Sequence, residues 1–237
     1  MSEAPGPGGR AALPEVLPIF PLTGTLLLPR GRLPLNIFEP RYLAMVRDAL
    51  GAERLIGMVQ PSEPQDDNRG PRGPDAGPGG ANPPVYPIGC AGRVTQFSET
   101  DDGRFMITLT GVSRFRIAEE LPILSGYRRI VPDWRPFEHD RDAAETPEFD
   151  RARLIRGLQS YFAQRQLSAD WTAVEKAPSE HLVTSLAMAC PFAPSEKQAL
   201  LEAADLSDRA ALLTALVEMA AVKPTSEDDG GGTTTRH

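Results

Sequence analysis

The sequence predicts an α+β protein: a β-rich first part that closes into a small barrel or curled antiparallel sheet, then a bundle of helices. Three observations lead there. Short apolar runs separated by Gly, Pro and Asp turns occupy residues 13–145. From about residue 146 the apolar spacing becomes helical. Pro and Gly, 24 and 21 in number, gather in separate stretches with no Gly-x-y period, so they punctuate a globular chain and build no fibre.

Residues 1–12 and 226–237 have no apolar period and are expected to be disordered tails. Val16–Pro21 and Thr25–Leu28 read as short strands. A helix follows, with Pro40 at its first position, Tyr42, Leu43, Met45 and Val46 on its inner face, and Gly51 at its end. Arg54–Gln60 is strand-like. The Pro/Gly-rich run 61–84 has too little apolar side chain to offset its ordering entropy, and is expected to be a flexible loop between strands. Ile88–Phe97 is a strand whose internal Gly89 and Gly92 suggest bulges or bends. Asp101-Asp102-Gly103 is a hairpin turn into Arg104–Thr110; Arg114–Ala118 continues beyond Gly111, and Tyr127–Val131 is the last strand.

The helical subdomain is expected over residues 146–225. Thr146-Pro147-Glu148 supplies a hydroxyl cap, a proline whose missing N–H costs nothing there, and an acid at the positive end of the dipole. Phe149, Ala152, Ile155, Leu158 and Phe162 then fall at helical spacing. Pro178-Ser179-Glu180 opens a second helix that stops before Pro191, Ser195 with Gln198 suggests a capping box for a third, and Ser207 opens a fourth carrying Leu212, Leu213, Leu216 and Val217.

Much chemistry is excluded by composition and spacing. At 237 residues the chain can bury a sizeable core. Its formal charge of −7 argues against broad attraction to nucleic acid or anionic lipid. No run approaches a membrane span, and the first residues lack the basic-then-apolar layout of a signal peptide, so no membrane partner and a cytoplasmic location are expected. Cys90 and Cys190 make no disulfide framework, which fits a reducing compartment. None of the three lysines follows a glycine, so a phosphate-cradling P-loop cannot form. Cys90, His139, His181, Cys190 and His237 lack paired metal-ligand spacing, and no metal or other cofactor is expected.

Cys190, nine residues beyond His181, would face the opposite side of a shared helix. Cys90 with His139 is the remaining nucleophile pair. Residues 86–145 hold eight basic and ten acidic side chains, which is no basic stripe, and Arg114 and Arg116 are expected to form the solvated side of a strand whose other face carries Phe115.

The segment Leu35–Tyr42 is the most informative. Glu39 precedes the helix, where a negative charge suits the dipole; Arg41, badly placed for that dipole, should find a carboxylate or carbonyl partner. Phe38 and Tyr42, four apart, can pack as a staple across the helix start.

Here the sequence resembles the N-terminal, substrate-binding domain of the Lon ATP-dependent proteases, in its stand-alone bacterial form. The resemblance runs through Leu17–Leu22, Leu33-Pro34-Leu35, Phe38-Glu39-Pro40-Arg41-Tyr42 and Gly92-Arg93-Val94, then Gly111-Val112-Ser113-Arg114-Phe115-Arg116-Ile117. A looser echo follows in Glu196–Glu202, so that about residues 13–222 are covered.

It implies a PUA-like β pseudo-barrel followed by helices, with Phe38, Glu39, Pro40, Arg41, Tyr42, Gly111, Arg114 and Phe115 as signature positions of structural character. It further implies recognition of unfolded or exposed polypeptide, with a separate protease or chaperone as a further partner. The family's ATPase and Ser–Lys protease modules have no counterpart in these residues, so no catalytic residue carries over. A curved sheet beside helices can leave a groove or strand edge for an extended chain, and Tyr127, Trp134 and Phe137 are the aromatic candidates for it. The alternatives are a PUA-like RNA-binding module and, less favoured, a hydrolase using Cys90.

Overall fold

A computed structural model describes residues 12–62, 83–142, 147–166 and 168–222. The expected tails, apart from Ala12, and most of the expected 61–84 loop lie outside the described residues. The strands are β1 (Leu17–Pro21), β2 (Arg32–Ile37), β3 (Leu55–Val59), β4 (Ile88–Glu99), β5 (Phe105–Leu124) and β6 (Tyr127–Asp133). Helix α1 (Pro40–Leu50) lies between β2 and β3, and a 3-10 helix, Arg135–Arg141, follows β6. Then come α2 (Arg151–Gln164), α3 (Trp171–Lys176), α4 (Ser179–Ala189), α5 (Pro194–Glu202) and α6 (Leu206–Val222). The α+β class holds.

The described residues fall into two compact units, one within Met1–Ala144 and Thr184–Glu202, the other within Glu145–Val183 and Ala203–His237. The expected helical segment is therefore divided, with α5 and most of α4 grouped with the sheet.

The first unit is a six-stranded sheet in the order β2-β5-β4-β3-β1-β6, and β6 also pairs with β5. That last pairing closes β5, β4, β3, β1 and β6 into a ring and leaves β2 outside it. All neighbours are antiparallel except β1 and β3. Closure rests on β5, which is 20 residues long. Its first part, Phe105–Thr110, lies between β2 and β4; its last part, Arg116–Leu124, runs along β6. The sequence suggested two strands here, and the backbone makes one.

The transition sits at Gly111. Its N–H donates to the Gly31 carbonyl and its carbonyl accepts from the Arg30 N–H, both at 2.8 Å. A Cβ on Gly111 would lie 1.9 Å from the Leu28 carbonyl oxygen, so only glycine lets the Leu28–Gly31 turn come this close. That turn also explains why Thr25–Leu28, expected as a strand, pairs with none: Leu26, Leu27 and Leu28 are buried as a loop folded onto the sheet.

Inside the ring, Leu17, Ile19, Leu55, Val59, Ala91, Phe115 and Ile130 form one apolar core. The Phe115 ring occupies space that a Cβ on Gly57 or Gly89 would take, within 2.9 Å and 2.6 Å of its Cζ. Phe115 is fully buried as a result. Helix α1 has the expected bounds; Tyr42, Met45, Val46 and Ala49 are its buried face. Helix α5 is held by polar contacts. Gln198 Nε2 donates to the Ile88 carbonyl at 3.1 Å and to Glu202 at 2.7 Å, while Gln60 Nε2 donates to the Pro194 carbonyl at 3.0 Å. Lys197 Nζ donates to the Gly24 carbonyl at 2.7 Å, and burial pushes its ammonium below its ordinary pKa.

Helix starts differ from those read in the sequence. Helix α2 begins at Arg151, where the Asp150 carboxylate caps it by accepting the Arg153 N–H at 2.9 Å; Thr146, the expected hydroxyl cap, lies outside the described residues. The Glu148 N–H is taken by Ser207 Oγ. At α5 the capping acid is Glu196, which accepts the Ala193 N–H at 2.8 Å; Ser195 and Gln198 make no capping box. Helix α6 is capped by Asp205, whose Oδ1 accepts the Asp208 N–H. In the second unit α2 and α6 meet at Gly157, where a Cβ would come within 3.0 Å of Val217.

Replacing Gly111 by alanine puts a methyl into a backbone oxygen that cannot swing away. Gly111→Ala is expected to cost about 3 kcal/mol in urea unfolding, while Gly51→Ala stays within about 0.5 kcal/mol. Gly51 has ordinary contacts and φ −77°.

Candidate functional site

In the second signature block Gly111, Ser113, Arg114 and Phe115 are buried. Arg114, expected at a solvated face, is buried, with 4% of its surface exposed. Its Nε and Nη2 form a fork on Asp140, the closest approaches being 2.9 Å and 2.8 Å. Its backbone N–H donates to the same carboxylate at 2.8 Å, and Nη1 donates to the Leu201 carbonyl at 3.0 Å. The guanidinium lies over the Phe137 ring, 4.6 Å from its centroid. Arg116, two residues on, is exposed as expected. The two share a strand face, but the 3-10 helix bearing Phe137 and Asp140 covers only the first.

The aromatic candidates are largely packed. Phe137 is buried beneath Arg114. Trp134 is half-buried, meets Phe115 edge-on at 5.8 Å and donates its indole N–H to the Pro14 carbonyl at 3.1 Å. The Tyr127 hydroxyl donates to Asp48 on α1 at 2.7 Å; burial, and then that bond to a carboxylate, push the phenol up to about 12.

The first signature block behaves differently. Arg41 finds its carboxylate, placing Nε at 2.8 Å and Nη2 at 2.7 Å from Glu39 Oε2, and lies 4.5 Å from the Tyr42 ring centroid. Tyr42 stacks at 4.2 Å on Phe20, not on Phe38. The expected staple is replaced because Phe20 reaches Tyr42 from inside the sheet, and Phe38 is left 63% exposed.

Beside it stands the β5–β6 hairpin. Ser125 and Gly126, at φ +50° and +83°, have the double positive φ of a type I′ turn between the paired Leu124 and Tyr127. A Cβ on Gly126 would lie 3.2 Å from Arg41 Cβ, so the turn rests against the start of α1. Ile123 and Leu124, before that turn, are 55% and 44% exposed. Phe38, which precedes α1, and Ile123 and Leu124, which precede the turn, are thus exposed apolar side chains on the two segments joined by the Arg41–Gly126 contact. Sequence reasoning assigned no role to Ile123 or Leu124; the signal was there in Ile-Leu directly before Ser-Gly, two large apolar residues at a hairpin tip.

Strand β2 was also missed, because Pro34 interrupts its apolar run. Among the described residues its only strand neighbour is β5, which makes it an edge of the sheet. An edge is where a strand proline is tolerated. Arg32, Pro34 and Asn36 are exposed, and Leu33 and Leu35 are half-buried.

Cys90 is fully buried in β4, while the His139 side chain is 94% exposed and paired with Asp142, so the Cys–His pair weighed from sequence is not assembled. Among the described residues, no group of three or more His, Cys, Asp or Glu could hold a metal ion. No helix there is long and apolar enough to cross a membrane.

These features define a β-barrel module with a presented apolar surface and an open strand edge. The chain belongs to the family described as the ATP-dependent protease La (LON) substrate-binding domain, whose model matches residues 16–218. It is 26% identical over 216 residues to Lon protease 2 of Myxococcus xanthus, covering 90% of this chain and 24% of that protein. It is also 26% identical over 208 residues to the Lon protease of Anaeromyxobacter dehalogenans, covering 86% of this chain and 23% of that one. The chain therefore spans about a quarter of the length of these curated relatives.

Two solved structures share the fold. The Lon N-terminal domain protein from Xanthomonas campestris superposes with a TM-score of 0.58 at 22% identity, covering 84% of this chain and 97% of that one. The N-terminal domain of Mycobacterium avium complex Lon protease gives 0.56 at 15% identity, covering 85% and 97%. The matched region is the part of Lon described as its substrate-binding domain.

Removing Asp140 strands a buried guanidinium. Asp140→Ala is expected to lose about 3–5 kcal/mol in urea unfolding. The exposed Arg135–Asp133 pair, with Arg135 at 83%, should contribute little, so Arg135→Ala is expected to leave the urea midpoint unchanged.

Proposed function

We propose that this domain recognises polypeptide chains that expose apolar side chains, and that it carries out no chemistry on them. The observation that carries the reading is Phe38: a large aromatic, 63% exposed, at the head of α1 between buried Ile37 and the Glu39–Arg41 pair. Burying such a side chain in a partner contributes about 2 kcal/mol or more, whereas leaving it in water contributes nothing to the fold. Ile123 and Leu124 at the neighbouring hairpin are further exposed apolar side chains, and the family's description as substrate-binding agrees with the reading. Tyr127, Trp134 and Phe137 then act behind the surface, holding the hairpin and the barrel mouth in place. Cleavage or refolding of the bound chain falls to another module, a protease or a chaperone. The two buried thiols suit a reducing compartment, and we place the protein in the cytoplasm.

Fluorescence anisotropy with reduced, carboxymethylated lactalbumin as the unfolded probe tests this. The domain should bind the unfolded probe and not native lactalbumin, and Phe38→Ala should weaken binding about tenfold while leaving the melting temperature unchanged. Binding no stronger than that of an albumin control, or equal affinity in wild type and Phe38→Ala, overturns the reading.

A further inference from the structure

Strand β2 presents one edge to β5, and among the described residues no strand pairs with its other edge. Its six residues pair with Phe105–Thr110 in unbroken register, Arg32 with Thr110 through Ile37 with Phe105. Among the described residues, no backbone group of Arg32–Ile37 bonds to anything but β5. An extended strand points alternate N–H and C=O groups to opposite sides, so half of the backbone groups of β2 face outward as a template for another chain.

The side chains add a pattern. Leu33, Leu35 and Ile37 lie on the face shared with Phe105, Ile107 and Leu109, three residues that are almost fully buried. That apolar row stops at β2: Leu33 and Leu35 are only half-buried, because no strand beyond them supplies the next column. On the opposite face Arg32 and Asn36 are exposed, and β2 ends beside exposed Phe38. A strand laid along β2 would bury Leu33 and Leu35 with its own apolar residues at every second position, and would put the intervening residues beside Arg32. Acidic residues fit there.

We propose that β2 is a strand-addition site: an extended polypeptide with apolar residues at alternate positions and acidic residues between them pairs with the outer edge of Arg32–Ile37. This rests on the polypeptide-binding reading above and supplies its mode, with main-chain bonds giving affinity to many sequences and the apolar column and Arg32 giving preference. Pro34, which has no N–H, withholds one donor. It makes the edge a weaker template than a full strand and limits pairing between copies of the chain.

The probe is a nonapeptide alternating valine and glutamate, made in three forms: unmodified, N-methylated at the odd amides, and N-methylated at the even amides. A peptide strand pairs through one of its two edges, so one methylated form should lose at least tenfold in affinity by isothermal titration and the other should bind like the parent. Arg32→Glu, an exposed change, should weaken the parent peptide about fivefold without altering the melting temperature.

Equal affinity of the two methylated forms, with the parent bound, overturns strand addition while leaving polypeptide recognition standing. Failure of the parent peptide to bind, with unfolded lactalbumin still bound, overturns the proposed mode and its alternating preference. Failure of both overturns the reading beneath it. Sedimentation of the peptide-free protein as a dimer that Arg32→Glu dissociates would assign the edge to a second copy, and would also overturn the proposal.

Discussion

Strand β5 must satisfy three neighbours with one backbone, and the rest of the first unit is arranged so that it can. Up to Thr110 it is an interior strand between β2 and β4; from Arg116 it runs along β6 and closes the ring. The change of partner requires a place where another segment can touch the backbone of β5, and Gly111 is that place, bonded on both sides to the Arg30–Gly31 turn. Once β5 is fixed there, Phe115 is carried into the barrel and Arg114 to its outside, where Asp140, Phe137 and the Leu201 carbonyl enclose it. The same strand ends at the Ser125–Gly126 turn that presents Ile123 and Leu124. Core and presented surface are therefore two ends of one element.

What could be read in advance follows how local each cause is. Helix α1 was legible because Pro40 and Gly51 act on their own neighbours, and the Arg41–Glu39 pair because its partners are two residues apart. Arg114 was not legible. Its carboxylate lies 26 residues away and its carbonyl 87 residues away, and strand alternation alone cannot say which outward positions another segment will cover. Phe38 failed for the same reason: its expected partner Tyr42 is taken by Phe20, which arrives from β1. The cap of α2 is the Asp150 carboxylate, an acid that the sequence reading had not singled out. Strand β2 was hidden by Pro34, whose position makes sense only once β2 is known to be an edge.

The two signature blocks divide the labour. Gly111, Arg114 and Phe115 are buried and hold the barrel; Tyr42 is buried and holds α1 to it; Glu39 and Arg41 pair at the helix start. Phe38 is the one large apolar side chain among them that is left exposed. A base with an exposed aromatic and a strand edge suits the proposed binding of chains that differ in sequence, because main-chain pairing and apolar contact are both tolerant of the partner's identity.

Amide chemical-shift mapping of the labelled domain against carboxymethylated lactalbumin addresses the central claim most directly, since it locates contact without altering any residue. The account predicts perturbations at Arg32–Phe38 and Ile123–Leu124, with the Leu154–Tyr161 face of α2 unmoved. Perturbations confined to the helices of the second unit, with Phe38 and β2 silent, would contradict it.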